Sequence, residues 1–169
     1  MKVLVTGATG YLGPFVVREL LAAGHSPRLL VRERAGVERV PPPEGAQVVH
    51  GDVTDRASLE RALEGVEGVI HLAGLVSISP KDRDQLDLVN VTGTRNLVEC
   101  CKVSALSRFV HISSVVAVGA NASADELPLD ETAVNRLRGR GFANVESKAL
   151  GEELVLEAAR RGALAAVVL

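Results

Sequence analysis

Three glycines at a fixed spacing are the residues in this chain that point most directly to chemistry. Gly7, Gly10 and Gly13 follow an apolar run at residues 2–6 and lie at the start of a helical pattern. After a strand, the first glycine permits a tight turn, the second lets the backbone approach a pyrophosphate, and the third lets the helix pack closely on the sheet. The pyrophosphate then lies at the positive end of the helix dipole. The spacing therefore predicts a dinucleotide site.

The charged residues after the second apolar run bear on which dinucleotide is bound. A carboxylate at the end of the second strand would accept hydrogen bonds from the ribose hydroxyls of NAD. Here that run ends at Arg32, followed by Glu33 and Arg34. A guanidinium forms a forked pair with the 2′-phosphate of NADP, which a carboxylate repels. We therefore predict NADP. The alternative is NAD, with Glu33 on the ribose in a shifted register and both arginines as solvated loop charges.

Short β-branched runs alternate with longer helical patterns along the whole chain. This alternation is typical of a parallel sheet with helices on both faces. We therefore predict an α/β fold, a doubly wound Rossmann sheet of about six parallel strands in three layers. The predicted strands are residues 2–6, 28–32, 47–51, 68–73, 108–113 and 164–169, and the predicted helices are residues 11–23, 56–65, 82–102 and 145–161.

Three segments depart from this alternation. The link between the second and third strands carries Pro41, Pro42 and Pro43 and is predicted to be irregular. A polar stretch at about 119–141 is long for a loop in a compact domain, which indicates a functional or disordered segment. Residues 164–169 are predicted to form a buried strand, where a terminal carboxylate is costly to bury. We therefore expect a dinucleotide-binding domain over residues 1–169 that ends in its sixth strand.

Composition argues against several other functions. The net charge is −2 with acidic and basic residues mixed, and aromatic residues make up 2% of the chain, so no nucleic-acid partner is expected. No apolar run approaches the roughly 20 residues of a membrane helix, and residues 1–6 are too short for a signal peptide, so we expect no membrane partner and a cytoplasmic location. Cys100 and Cys101 are adjacent in a predicted helix, and the histidines, including His71 and His111, are scattered. We expect these residues in the core and no metal site.

Six segments occur in the order found in one known family, the extended short-chain dehydrogenases/reductases, also described as NAD(P)-dependent epimerases and dehydratases. The chain resembles this family over its whole length. The segments are TGATGYLG (6–13), GDVTD (51–55), HLAG (71–74), VNVTGTRNLVECC (89–101), FVHISSVVAVG (109–119) and NVESKALGEELV (144–155). The resemblance implies that Asp52 accepts from the adenine amino group and that Val53 packs on the ring. The cofactor-binding residues that the turn, the second strand and the resemblance together indicate are Gly7, Thr9, Gly10, Tyr11, Leu12, Gly13, Arg32, Asp52, Val53, Leu72, Ala73, Gly74 and Lys148.

The resemblance also implies a catalytic set with one departure. In this family a tyrosine and a lysine four residues later share a helix face, and a serine or threonine comes from the end of the fifth strand. Lys148 matches the lysine, and Ser114 matches the serine, with Ser113 as its close alternative. The tyrosine position holds Asn144, and an amide cannot donate a proton in the required pKa range.

These residues support two main hypotheses. In the first, the chain belongs to an NADP-dependent oxidoreductase or a nucleotide-sugar epimerase or dehydratase that acts on a small carbonyl compound or nucleotide sugar, with Ser114, Lys148 or water relaying the proton. In the second, it is a non-catalytic dinucleotide-binding sensor or scaffold. A third reading is an incomplete or altered piece of a larger enzyme. The family's specificity comes largely from a C-terminal substrate region, which is expected beyond residue 169. Resemblance also implies a homodimer formed through the third and fourth helices.

Overall fold

The computed structural model describes residues 1–33, 42–104, 106–123 and 127–169. Its strands are β1 (Lys2–Thr6), β2 (Ser26–Val31), β3 (Gln47–His50), β4 (Gly68–His71), β5 (Arg108–His111) and β6 (Ala166–Val168). Its helices are α1 (Gly13–Ala22), α2 (Arg56–Leu63), α3 (Arg83–Leu86), α4 (Thr94–Lys102), α5 (Val115–Val118) and α6 (Ala143–Arg160). A 3-10 turn at Pro80–Asp82 precedes α3, and a π-helical segment, Asp87–Gly93, joins α3 to α4.

The strands form one parallel sheet in the order β3-β2-β1-β4-β5-β6. The order reverses between β1 and β4, and ligands of such sheets bind outside the carboxyl ends of the strands at this switch point. The predicted Rossmann fold is therefore confirmed.

Each strand sends alternate side chains to opposite faces of the sheet, which produces two cores. Val3 and Val5 pack with Val17 of α1 on one face. Leu4 lies on the other face, in a larger core that includes Leu59 of α2. The same core receives Leu97 of α4 and Val155 of α6, so the described residues form the three layers that were predicted.

Element ends differ from the predicted ones where polar groups or turns intervene. Helix α1 begins at Gly13 because Tyr11 and Leu12 stay in the glycine turn, and Pro14 suits the first turn of a helix. Strands β4 and β5 end at His71 and His111, two residues before the predicted ends. The short helix α5 was not predicted.

The prediction of a buried sixth strand is wrong. Strand β6 pairs only with β5 at one edge of the sheet, so part of its surface faces solvent. Val167 is 41% exposed and Leu169 is 71% exposed.

Other predictions can be compared directly. Cys100 and Cys101 are buried without a disulfide, and His71 and His111 are buried, as expected. Pro42 and Pro43 lie in exposed chain without helix or strand, whereas residues 34–41, including Arg34 and Pro41, lie outside the described residues. Among the residues that the structure describes, no helix is both long and apolar enough to cross a bilayer.

Candidate functional site

The glycine turn connects β1 to α1 at the switch point. Gly7 has φ of 70°, in the left-handed region that favours glycine, and the Gly10 N–H donates to the Gly7 carbonyl at 2.9 Å. An ideal Cβ on Gly7 would lie 2.6 Å from the backbone nitrogen of Ala73, so the turn and the segment after β4 touch backbone to backbone. No side chain caps the first turn of α1, which leaves its N–H groups available to an anion.

The later residues of the turn face different surroundings. Gly13 is buried, and a Cβ there would lie 2.1 Å from the Ala8 carbonyl oxygen, so only glycine allows this close packing of α1. Tyr11 is 89% exposed and Leu12 is 46% exposed. Both were predicted to bind cofactor, yet neither lines the cleft described next.

A cleft of about 350 Å³ opens at the carboxyl ends of β1, β2 and β4. We call it the main cleft. It brings together nine of the predicted cofactor-binding residues, namely Gly7, Thr9, Gly10, Arg32, Asp52, Val53, Leu72, Ala73 and Gly74. It is also lined by Leu30, Gly51, Leu75 and Val89, which had not been predicted. Leu30 and Val89 occupy strand and helix positions whose apolar pattern indicates core, so no feature of the sequence marks them as the border of a ligand site.

A second cleft of about 580 Å³ adjoins the main cleft. We call it the side cleft. The two share Arg32, Gly51 and Asp52, and the side cleft is also lined by Glu33, His50, Asp55, Ser58 and Arg61. Asp52 is held in place because its Oδ1 accepts from the Thr54 N–H at 2.9 Å and from the Thr54 hydroxyl at 2.8 Å. The binding of adenine by Asp52 stays a prediction.

A buried hydrogen-bonded chain runs from β1 to the long helix behind the main cleft. The Thr6 hydroxyl accepts from the Ala73 N–H at 3.2 Å and lies 2.7 Å from His71 Nδ1. On the other side of the ring, His71 Nε2 lies 3.0 Å from Thr94 Oγ1, which donates to the Asn90 carbonyl at 2.7 Å. Each hydroxyl has one proton, so Thr6 donates to Nδ1 and Nε2–H donates to Thr94. This assigns a single neutral tautomer to His71.

The same chain continues through the Asn90 amide into α6. Asn90 Oδ1 accepts from the Leu75 N–H at 2.7 Å, and its Nδ2 donates to the Leu75 carbonyl at 2.9 Å and to Ser147 Oγ at 3.0 Å. Ser147 in turn donates to the Asn144 carbonyl at 3.1 Å. These bonds fasten the segment after β4, the π-helical segment and the start of α6 together. Thr6, His71 and Ser147 had not been predicted as site residues.

Lys148 projects from α6 toward the segment after β4. A Cβ built on Gly74 would lie 2.5 Å from Lys148 Nζ, so the ammonium lies over a space that only glycine leaves open. Burial lowers the pKa of Lys148 from its ordinary value. Within the described ranges its Nζ has no hydrogen-bond or ion-pair partner. It is therefore a partly desolvated cation at the edge of the cleft, able to donate to a ligand hydroxyl.

Two histidines lie beneath this cation. The His71 and His111 rings are 5.2 Å apart between centroids. Burial first, and the Lys148 charge second, lower the pKa of His111 to about 4. Burial likewise lowers the pKa of His71 well below its usual range, with added contributions from His111 and Lys148. His111 Nδ1 is buried without a hydrogen bond among the described residues. Both rings are therefore neutral at pH 7.

The remaining predicted catalytic residues border α6. Asn144 lies one turn before Lys148, and its Oδ1 is buried without a hydrogen-bond partner in the described chain. Ser114 is the N-cap of α5, where its Oγ accepts from the Val116 N–H at 3.4 Å, and α5 packs against α6. Ser113 instead donates to Glu152 of α6. The two serines therefore differ: Ser113 donates its proton to a carboxylate, whereas the Ser114 hydroxyl donates to no other group within the described ranges.

The polar stretch at 119–141 is fastened to the site at two points. Asn135 Nδ2 donates to the Val116 and Ala117 carbonyls at 2.9 and 2.8 Å, which caps the end of α5. Arg83 donates to Glu146 and to the Gly141 carbonyl, both at 3.1 Å. The described part of this loop is thus ordered against α5 and α6.

The residues present fit a dinucleotide. The glycine turn has backbone in place of side chains where a pyrophosphate would lie, and the space beside Gly74 is bordered by a cation that can bind a ribose hydroxyl. The Rossmann order and this site define a dinucleotide-binding protein of the short-chain dehydrogenase/reductase type.

Comparison with known proteins identifies the family. The sequence profile of the 3-beta hydroxysteroid dehydrogenase/isomerase family matches residues 4–165. The chain therefore belongs to this family, and the predicted membership in the short-chain dehydrogenases/reductases is confirmed. The similar proteins are dehydrogenases and epimerases, so this is a family of oxidoreductases and related epimerases.

Similar proteins include one curated sequence and two solved structures. Sterol demethylase protein B of Methylococcus capsulatus is 46% identical over 123 residues, which cover 72% of this chain and 37% of that protein. UDP-glucose 4-epimerase of Thermus thermophilus, in complex with NAD, superposes with a TM-score of 0.86 at 28% identity, over 99% of this chain and 54% of that one. A short-chain dehydrogenase/reductase superfamily protein from Agrobacterium tumefaciens with bound NAD gives 0.77 at 31% identity, over 99% and 48%. The chain thus spans about half the length of these relatives or less.

Proposed function

We propose that the chain is the NADP(H)-binding part of an oxidoreductase or of a nucleotide-sugar epimerase or dehydratase. The observation that carries this proposal is the main cleft, which the glycine turn and Arg32 line, with the Lys148 ammonium beside Gly74 at its edge. The relatives are named as a demethylase component, an epimerase and a reductase-superfamily protein, which favours a small carbonyl compound or nucleotide sugar as substrate.

NADP is proposed over NAD because the exposed guanidinium of Arg32 lines both clefts. The solved neighbours bind NAD, so the two cofactors must be compared directly. Titration of the protein with NADPH and NADH, followed by the fluorescence of the reduced nicotinamide, is expected to give the lower dissociation constant for NADPH. A lower constant for NADH would reject the NADP assignment, and no binding of either would reject the dinucleotide site.

The chemical roles follow from the side chains around α6. The bound cofactor would supply hydride transfer at its nicotinamide ring. Lys148 would donate a hydrogen bond to the nicotinamide ribose, and its pKa, lowered by burial, makes the ammonium a better proton donor than an exposed lysine. Ser114 would donate a hydrogen bond to the substrate oxygen, and the proton that this oxygen takes up would come from Lys148 or from water. The neutral histidines below add no competing charge.

Asn144 gives the experiment that tests catalysis. Restoring a phenol at this position with Asn144→Tyr is expected to raise turnover about 10²- to 10⁴-fold, the usual contribution of a positioned acid. The readout is NADPH oxidation with a panel of carbonyl compounds and conversion of nucleotide sugars. Asn144→Phe is the matched control, because it adds the ring without the hydroxyl. No gain with Asn144→Tyr, while NADPH still binds, would count against the enzymatic proposal.

A second candidate function is a non-catalytic dinucleotide-binding sensor or scaffold. Asn144 favours it, since the position one turn before Lys148 carries an amide that cannot transfer a proton. If the chain is such a sensor or scaffold, NADPH is expected to bind to both Asn144→Tyr and Asn144→Phe, and neither variant is expected to turn over a substrate in the panel. The homodimer through α4 and α6 and the cytoplasmic location stay predictions, and light scattering tests the former.

A further inference from the structure

The side cleft contains a second arginine that the cofactor assignment leaves unused. We propose that Arg61 of α2 acts with Arg32 as a second guanidinium for the 2′-phosphate of NADP, and so determines cofactor specificity. This inference rests on the proposed NADP binding. It assigns a role to α2, a helix outside the glycine turn and outside the catalytic helix.

The carboxylates and guanidinium groups that line the side cleft differ in whether they have hydrogen-bond partners. Asp55 caps α2, where its carboxylate accepts from the Ala57 N–H at 3.0 Å, and the Asp52 carboxylate is held by Thr54. By contrast, the side chains of Arg32 and Arg61 are exposed and have no ion pair or hydrogen bond to any other residue in the described ranges. Among the described residues, the cationic side chains that line this cleft are therefore these two guanidinium groups.

A buried arginine fixes the end of α2, next to Arg61 in sequence. Arg28 of β2 is 8% exposed, and its Nη1 donates to the Ala62 and Glu64 carbonyls, both at 2.8 Å. These carbonyls belong to the end of α2 and the residue that follows it, where the helix dipole is negative and a cation is favoured. Strand β2 therefore contacts the end of α2 through Arg28, and Arg32 follows the last residue of the same strand. These contacts link the position of α2, which carries Arg61, to the position of Arg32.

Two guanidiniums suit a phosphate group better than one. Each offers a planar fork of donors, and the phosphate has three acceptor oxygens to share between them. Glu33 also lines the side cleft and opposes a dianion. A second arginine offsets this carboxylate, which explains how a sequence with Glu33 beside Arg32 can still select NADP.

The test compares three single variants of the whole chain. Arg32→Gln and Arg61→Gln each remove one guanidinium of the side cleft. Arg56→Gln is the matched control, since Arg56 lies on the same helix, pairs with Glu60 at 3.1 Å and lines neither cleft. Dissociation constants are measured by calorimetry for NADPH and NADH. They are also measured for 2′,5′-ADP and 5′-AMP, which differ only in the 2′-phosphate. Thermal unfolding of each variant reports whether the fold is retained.

Arg61→Gln is expected to weaken the binding of NADPH and 2′,5′-ADP about 10-fold, as for loss of one charge-assisted contact, and to change the binding of NADH and 5′-AMP less than about 2-fold. Arg61→Lys is expected to recover part of the loss. If Arg61→Gln matches Arg56→Gln while Arg32→Gln weakens NADPH, the role of Arg61 is overturned and NADP binding stands. Equal weakening of NADPH and NADH by Arg61→Gln also overturns it. A wild-type preference for NADH overturns the cofactor proposal itself.

Discussion

The two halves of the sheet hold their charges differently. On the side of β1, β2 and β3, Arg32 and Arg61 have no ion-pair partner among the described residues. They lie on open clefts, and water screens their charges until a ligand arrives. On the side of β4 and β5, Lys148 is half-buried over two neutral histidines and has no counter-ion among the described residues. A ligand in the first half adds new contacts to a solvated surface. In the second half, a ligand that accepts a hydrogen bond from Lys148 offsets the desolvation of the half-buried ammonium, a free-energy cost that the folded chain already carries.

The largest expected effect tests the backbone contact that joins the two halves. Gly7→Ala and Gly24→Ala both place a side chain at φ near +70°, which costs about 1–2 kcal/mol. A Cβ on Gly24 meets nothing within 4 Å, whereas one on Gly7 meets the backbone of Ala73. Gly7→Ala is therefore expected to lose about 1–3 kcal/mol more in urea unfolding, and to weaken NADPH binding about 100-fold. Similar losses in both variants would show that the contact with Ala73 is unimportant.

The next effect concerns the buried histidines of the second half. The pKa of His111 is lowered to about 4, so the unfolded chain binds this proton more readily. The free energy of unfolding is therefore highest above about pH 6.5, and protonation of His111 lowers it by about 3 kcal/mol as the pH drops to about 4. His71 acts in the same direction. His111→Phe is expected to reduce this acid sensitivity in urea titrations at pH 7 and pH 4.5. His50→Gln, at an exposed strand end, serves as the control, and an unchanged acid response in His111→Phe would contradict the assignment.

A substitution of Lys148 tests whether a ligand offsets the desolvation of this half-buried ammonium. Because burial lowers its pKa, the unfolded chain holds this proton to higher pH, and stability rises with pH toward the usual value of about 10.4. Lys148→Met is expected to be more stable than wild type at pH 7, to lack this alkaline rise, and to bind NADPH about 10-fold more weakly. Lys81→Met, an exposed control, should match wild type. A Lys148→Met variant that is both less stable and unchanged in binding would break the comparison.

The smallest effect separates the two serines after β5. Ser113→Ala leaves the Glu152 carboxylate without its donor and is expected to cost about 1–2 kcal/mol in urea unfolding. Ser114→Ala loses only a long cap bond of 3.4 Å and is expected to cost less than about 0.5 kcal/mol. In the Asn144→Tyr background, the order should reverse for turnover, with Ser114→Ala the more damaging change. The opposite order would favour Ser113 as the catalytic serine.

Most of the fold and the main cleft were predictable because both depend on local pattern. Alternating apolar runs specify parallel strands, and Gly7, Gly10 and Gly13 specify the turn within a few residues of sequence. The side cleft was not predictable in the same way, since Arg61 is distant in sequence from Arg32 and the two line one cleft only in the folded chain. Strands β4 and β5 were predicted two residues too long, because Leu72 and Ile112 continue the apolar pattern of the sequence beyond His71 and His111.

The hydrogen-bonded chain through His71 has a consequence for proton movement. It begins at the amide of Ala73 and ends at the Asn90 carbonyl, and every hydroxyl and ring nitrogen between them already has a fixed direction. Neither end releases or accepts a proton at ordinary pH, so this series of hydrogen bonds cannot conduct protons behind the main cleft. In the proposed reaction, protons would therefore reach the site by a route other than this chain, and the His71 imidazole is expected to show one unchanging tautomer in nitrogen NMR across the neutral pH range.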